Sequence, residues 1–74
     1  MNSLKKQAAD ILARKREELG LSQSEVAERV RNRRVTSLSE PHYRRIEKGL
    51  AVPNVVSALE VCAVLDLDVY EVWG

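Results

Sequence analysis

Phenylalanine is absent, cysteine occurs once as Cys62, and the aromatics are limited to Tyr43, Tyr70 and Trp73. One thiol cannot form an internal disulfide. No Cys/His cluster with zinc-ligand spacing surrounds it or the single His42, so no metal is expected and a reducing compartment fits. With so few aromatics the core must be aliphatic, which suits small packed helices. No apolar run approaches the roughly 18 residues that cross a bilayer. Lys5 and Lys6 are not followed by the apolar stretch of about 7 to 15 residues that marks a secretory leader. A cytoplasmic location without membrane contact is therefore expected. Glycine-rich phosphate loops and Ser/His/Asp or Cys/His arrangements with local support are also missing, so neither catalysis nor a cofactor is expected.

The chain has no basic residue after Lys48. Residues 1–48 hold all twelve Lys and Arg against seven acidic side chains, a balance of +5, whereas residues 49–74 hold only Glu60, Asp66, Asp68 and Glu71, a balance of −4. The formal net charge of +1 hides this separation. A charge dipole of this kind can hold one end against a polyanion while the other stays free for a partner. At 74 residues the chain reads as one domain, residues 1–74, near the lower size at which a core suffices without disulfides or metal. Oligomerisation is the natural supplement.

Apolar residues at helical spacing, Leu4, Ala8, Ile11, Leu12 and Leu19, predict a first amphipathic helix over roughly residues 3 to 19, with Gly20 as its stop. Ser22-Gln23-Ser24-Glu25 has the form of a capping box, so a second helix starts at Ser22 and buries Val26, Ala27 and Val30. Residues 31–38 lose the helical period and concentrate charge, which argues for a loop or a frayed helix end. Either Ser37 or Ser39 can cap a third helix with Pro41 in its first turn, Tyr43 and Ile46 facing inward, and Lys48-Gly49 at its close. Asn54 caps a fourth helix in which, from Val55 to Leu65, only Ser57 and Glu60 are polar. A helix apolar nearly all round is either central or shared with another molecule. After a turn at Asp66-Leu67, the series Asp68-Val69-Tyr70-Glu71 resembles a second capping box and opens a short helix ending at Trp73. Cys62 reads as a small buried apolar residue.

Leu21-Ser22-Gln23-x-x-Val26-Ala27, Arg45-Ile46-Glu47-Lys48-Gly49 and the stretch from Pro53 through Leu65-Asp66-Leu67 together resemble the helix-turn-helix family of the lambdoid phage repressors and Cro. The resemblance covers nearly the whole chain, from about Ala9 to Trp73. It implies an all-α, compact five-helix repressor-like domain that binds double-stranded operator DNA and regulates transcription, with repression the expected direction. In such modules the second helix of the pair enters the major groove and the first bonds the backbone. By the resemblance, Gln23 bonds a phosphate and braces the recognition helix, while Glu40, Pro41 and Arg45 occupy the base-reading positions. Arg45 can fork onto guanine O6 and N7, Glu40 can accept from cytosine N4, and Pro41 offers only apolar contact, as with a thymine methyl. His42, Arg44 and Lys48 fall on the remaining outward positions, within reach of phosphate or base. Arg16 and Glu47 match a family ion pair that links the first helix to the recognition helix.

Fourteen residues separate Val30 from Arg45, more than the family usually places there, and the usual glycine of the tight turn is missing. The loop between the second and third helices is therefore enlarged. It carries Arg31, Arg33 and Arg34, whose like charges repel unless spread in water or opposed to phosphates, and contact with the DNA backbone is the expected outcome. Val55, Val56, Val64, Val69, Val72 and Trp73 exceed what one small core encloses, so a homodimer on an inverted-repeat operator is expected, with Val56, Val69, Val72 and Trp73 at its interface. Rival readings are an antitoxin or controller-type DNA-binding regulator with a separate protein partner, and a protein-interaction adaptor that does not bind DNA. The confinement of positive charge to the first two thirds of the chain argues against the adaptor.

Overall fold

Every helix begins at a side chain that accepts from the backbone of its own first turn. In the computed structural model, which describes residues 3–74, Ser3 accepts from Lys6 N, Ser22 from Glu25 N, Ser39 from His42 N, Asn54 from Ser57 N and Asp68 from Tyr70 N. These caps open α1 (Leu4–Glu18), α2 (Gln23–Asn32), α3 (Glu40–Glu47), α4 (Val55–Leu65) and α5 (Val69–Trp73). The box at Ser22 is complete, because the Glu25 carboxylate returns a bond to Ser22 N at 2.8 Å. Those hydrogen bonds hold the Glu25 carboxyl below its ordinary range. At α5 the capping is one-sided, with Asp68 reaching Tyr70 N and no reciprocal bond from Glu71 among the described contacts. Of the two candidate caps for α3, Ser39 is the one used. Gly49, at φ +75°, lets Leu50 N return to Arg45 O at 2.9 Å and ends that helix in the left-handed turn that disfavours residues with a Cβ.

The helices pack around one core, aliphatic as expected except for Tyr43. Leu12, Val26, Val30, Leu38, Tyr43, Ile46, Val61 and Leu65 are its fully buried larger side chains. α1 meets α3, α4 and α5, and α2 meets α3 and α4, so the first two helices form the frame on which the third is laid. α1 buries Ala8, Ala9 and Leu12, whereas Leu4 and Leu19, expected on the same inner stripe, stand 62% and 45% exposed. A helix of that length, about 22 Å, outreaches its neighbours, and the two leucines sit at its ends. α4 resolves the alternative posed by its all-round apolarity. Its Ala58, Val61, Cys62 and Leu65 are central, while Val55, Val56 and Leu59 remain exposed. Burial pushes the Cys62 thiol up to about 11, which keeps it protonated and unreactive near neutral pH. The Tyr43 hydroxyl is buried without a hydrogen-bond partner among the described residues, and burial together with the nearby Glu47 carboxylate raises it above its ordinary value.

The connection between α2 and α3 starts later than the charge pattern predicts, since Arg31 and Asn32 are still helical. Arg33 is the C-cap and Ser39 the next N-cap. Between them Leu38 is 1% exposed and belongs to the core. Deleting a buried leucine side chain costs its transfer free energy plus the residual cavity. Leu38→Ala is therefore expected to lower unfolding free energy by about 2–5 kcal/mol. Val35→Ala, at a site 60% exposed, should change it by about 0.5 kcal/mol or less. Urea denaturation of both variants checks this, and equal small effects would mean that the connection does not pack.

Candidate nucleic-acid interface

α3 is eight residues long and has one inward stripe, Tyr43 and Ile46. Pro41, His42, Arg44, Arg45 and Lys48 are exposed, and Glu40 is half-buried. Helical spacing thus gathers an imidazole and three cations on the solvent side of one short helix. Arg44 forms an ion pair with Glu40, one turn back on the same helix. Among the described contacts, Arg45, His42 and Lys48 make no side-chain hydrogen bond or ion pair, and Arg45 therefore presents its fork to solvent. Glu40, expected to accept from cytosine, has its carboxylate engaged by Arg44 and must release it to reach a base.

The other side of α3 is tied down by one carboxylate. Glu47, with its side chain only 4% exposed, accepts from Arg16 Nε at 2.8 Å and Arg16 Nη2 at 3.1 Å, a fork from α1. It also accepts from Gln23 Nε2 of α2 at 3.1 Å. The third nitrogen of the guanidinium, Arg16 Nη1, donates to Leu21 O at 2.9 Å, the loop carbonyl just before the α2 cap. Hydrogen bonding to Glu47 raises the Arg16 guanidinium further above its already high value. Gln23 sits at the first position of α2, and its amide keeps a second N–H and its carbonyl beyond the bond to Glu47. Bracing and an outward polar contact are both open to it.

The loop arginines divide into two kinds. Arg31 Nη1 donates to Leu38 O at 2.9 Å, and Arg33 Nε donates to the Glu60 carboxylate at 2.6 Å. Glu60 raises the Arg33 guanidinium above its ordinary value. Arg34 is exposed in the left-handed conformation, φ +59°, and has no ion pair among the described residues. Arg31 and Arg33 thus each have a partner in the protein, a carbonyl and a carboxylate, although both remain exposed, and Arg34 has no such partner among the described residues.

A family model described as helix-turn-helix matches residues 12–72. The chain belongs to that family, the one that includes Cro and the phage repressors. Comparisons with curated proteins and with solved structures find no match. Helix-turn-helix proteins of this family are DNA-binding regulators, and the all-helical, five-helix architecture fits a repressor-like domain. No helix among the described residues is long and apolar enough to cross a membrane.

For this helix-turn-helix chain, the residues expected at a dimer interface do not share one environment. Val72 is 4% exposed and packs in the chain's own core, which corrects its assignment to a surface. The reason is the short α5, whose inward position falls on Val72 and whose outward position falls on Tyr70, 79% exposed. Val69 and Trp73 are half-buried and line an open apolar groove of about 580 Å³ with Leu4, Val52, Val55, Leu59 and Tyr70. Val56 is 45% exposed and lies outside that groove. Sequence reasoning missed Glu60 and Ser57 as partners of the loop, and Thr36 and Leu38 as the loop residues that meet the rest of the fold. The signal was present in Ser57 and Glu60, the two polar residues of an otherwise apolar helix.

Glu47→Ala removes the acceptor shared by α1 and α2 and leaves the Arg16 guanidinium, 16% exposed, without its counterion. Removing one partner of such a pair costs about 3–5 kcal/mol, and Gln23→Ala, which forfeits one neutral donor, about 1–2 kcal/mol. Thermal and urea melts of the two variants test the ranking. A Glu47→Ala protein as stable as the Gln23→Ala protein would contradict it.

Proposed function

We propose that this protein is a sequence-specific transcriptional repressor that places α3 in the major groove of operator DNA. The observation that carries the reading is the outward face of α3, where Arg45 has no partner among the described residues and stands beside His42, Arg44 and Lys48 while Glu47 holds the opposite face. An exposed guanidinium on a rigid helix suits the bidentate contact with guanine O6 and N7, the commonest specific contact in the major groove. Pro41 adds an apolar surface for a thymine methyl, and Glu40 reads cytosine only when Arg44 turns to a phosphate. Gln23, Lys48 and Arg34 serve the backbone. Arg31 and Arg33 serve the loop instead. Repression asks for nothing beyond occupancy of a site that overlaps a promoter.

We further assign the apolar groove to a second copy of the chain. Val52, Val55, Leu59 and Tyr70 are all about half exposed or more and lie in the part of the chain that follows the last basic residue, with Leu4 and Lys5 of α1 completing the groove. Two copies joined there present α3 to successive major grooves about 34 Å apart, which calls for an inverted-repeat operator.

The test uses the duplex that the protein selects from a randomised library, compared with random duplex at two salt concentrations. Arg45→Ala should lose about 1–3 kcal/mol on the selected duplex and little on random DNA. Equal losses on both would move Arg45 to the phosphate contacts. A parent protein with no affinity for either duplex and no salt slope would support the adaptor reading. Dimerisation is checked by sedimentation of Tyr70→Glu, whose site is 79% exposed and outside the core. The variant should keep its helical spectrum and sediment as a monomer at concentrations where the parent is dimeric. A parent that is monomeric both free and on DNA would overturn the dimer.

A further inference from the structure

The buried polar residues among those described, Ser57 and Glu60, both lie on α4 and both meet the connection between α2 and α3. The Glu60 side chain is 11% exposed, and its carboxylate accepts from Arg33 Nε at 2.6 Å. The Ser57 hydroxyl lies 3.2 Å from that of Thr36. Arg33 ends α2, Thr36 sits midway along the connection, and Leu38, in the core, immediately precedes the α3 cap Ser39. A connection held only at its ends would let the first turn of α3 shift, and that turn carries Glu40, Pro41 and His42. This one is fixed at three points along its length. A carboxylate so nearly withdrawn from water needs its counterion, so the docked loop is the arrangement that satisfies α4.

We infer that Glu60 is a positioning residue for DNA recognition, acting through Arg33 to seat the connection on α4 and so to set where α3 begins. The inference rests on the reading that α3 enters the major groove. It reassigns Arg33 from the DNA backbone to the protein: its charge is compensated within the fold and releases no counterion from DNA. Arg33 and Glu60 then act as one unit. Either alone should remove the whole effect, and removing both should add nothing.

The experiment compares Glu60→Gln, Arg33→Gln and the double variant with the parent, on the selected and random duplexes, at a temperature where all keep the parent's helical spectrum. Because Arg33 is half exposed and Glu60 nearly buried, Glu60→Gln carries the test if Arg33→Gln, which leaves the carboxylate without its counterion, does not fold. Each single variant is expected to lose about tenfold in affinity for the selected duplex, the size of one charge-assisted hydrogen bond, with random-duplex affinity and salt slope unchanged. A merely structural role would lower the melting temperature and weaken both duplexes together, or leave their ratio intact. If Arg33→Gln weakens both duplexes alike and flattens the salt slope by about one, Arg33 contacts a phosphate and the inference is overturned. If Glu60→Gln leaves the selected-to-random ratio unchanged while Arg45→Ala collapses it, the inference fails and the α3 reading stands. If Arg45→Ala also leaves the ratio unchanged, the α3 reading fails and the inference falls with it.

Discussion

The carboxylate of Glu47 is the point on which the arrangement of the first three helices depends. An eight-residue helix has little stability of its own, since isolated helices shorter than about 12–15 residues are marginal in water. α3 is helical because Tyr43 and Ile46 are buried, but two apolar anchors leave its rotation about the core loosely determined. Glu47 removes that freedom by accepting from Arg16 on α1 and Gln23 on α2 at once. Withdrawing the pair from water offsets much of its Coulombic attraction, so its main contribution is orientation rather than net stability. The exposed side of α3 is aimed from its opposite side.

What the sequence makes legible here is what local geometry dictates. Ser22 with Glu25, Asn54, and Pro41 in the first turn of α3 signal helix starts through contacts three residues apart, and those starts are found in the fold. Tyr43 and Ile46 signal the inward stripe in the same way. The link between Arg16 and Glu47 is not local, being 31 residues apart, and came from family resemblance rather than from pattern. The bond from Arg33 to Glu60 spans 27 residues and involves a loop the family does not usually have, so neither route reached it. The partners of Arg31 and Arg33, Leu38 O and Glu60, are not legible in the charge pattern because they become neighbours only after folding. Val72 was misassigned for a related reason. In a five-residue helix, periodicity is too short to tell the face of Val72 from that of Tyr70.

α4 carries two separate tasks along one helix. Its inner face closes the core through Val61, Cys62 and Leu65, and the polar pair Ser57 and Glu60 receives the loop. Its remaining face, with Val55 and Leu59, is left to the open groove. The helix is apolar nearly all round because core and groove claim different sides of it. The two polar exceptions mark the one direction in which it meets a segment with hydroxyl and guanidinium groups to satisfy.

Seating the enlarged loop before any ligand arrives has an energetic consequence. A mobile arginine-rich segment would have to be ordered at the moment of association, at a cost of about 0.5–1.5 kcal/mol for each long side chain immobilised. Here the Leu38 side chain is already packed, and the guanidinium groups of Arg31 and Arg33 already have hydrogen-bond partners, in the free protein. That ordering entropy is lost during folding, where burial of Leu38 offsets it. A loop docked on α4 also restricts where the first turn of α3 can sit, because Leu38 immediately precedes the α3 cap.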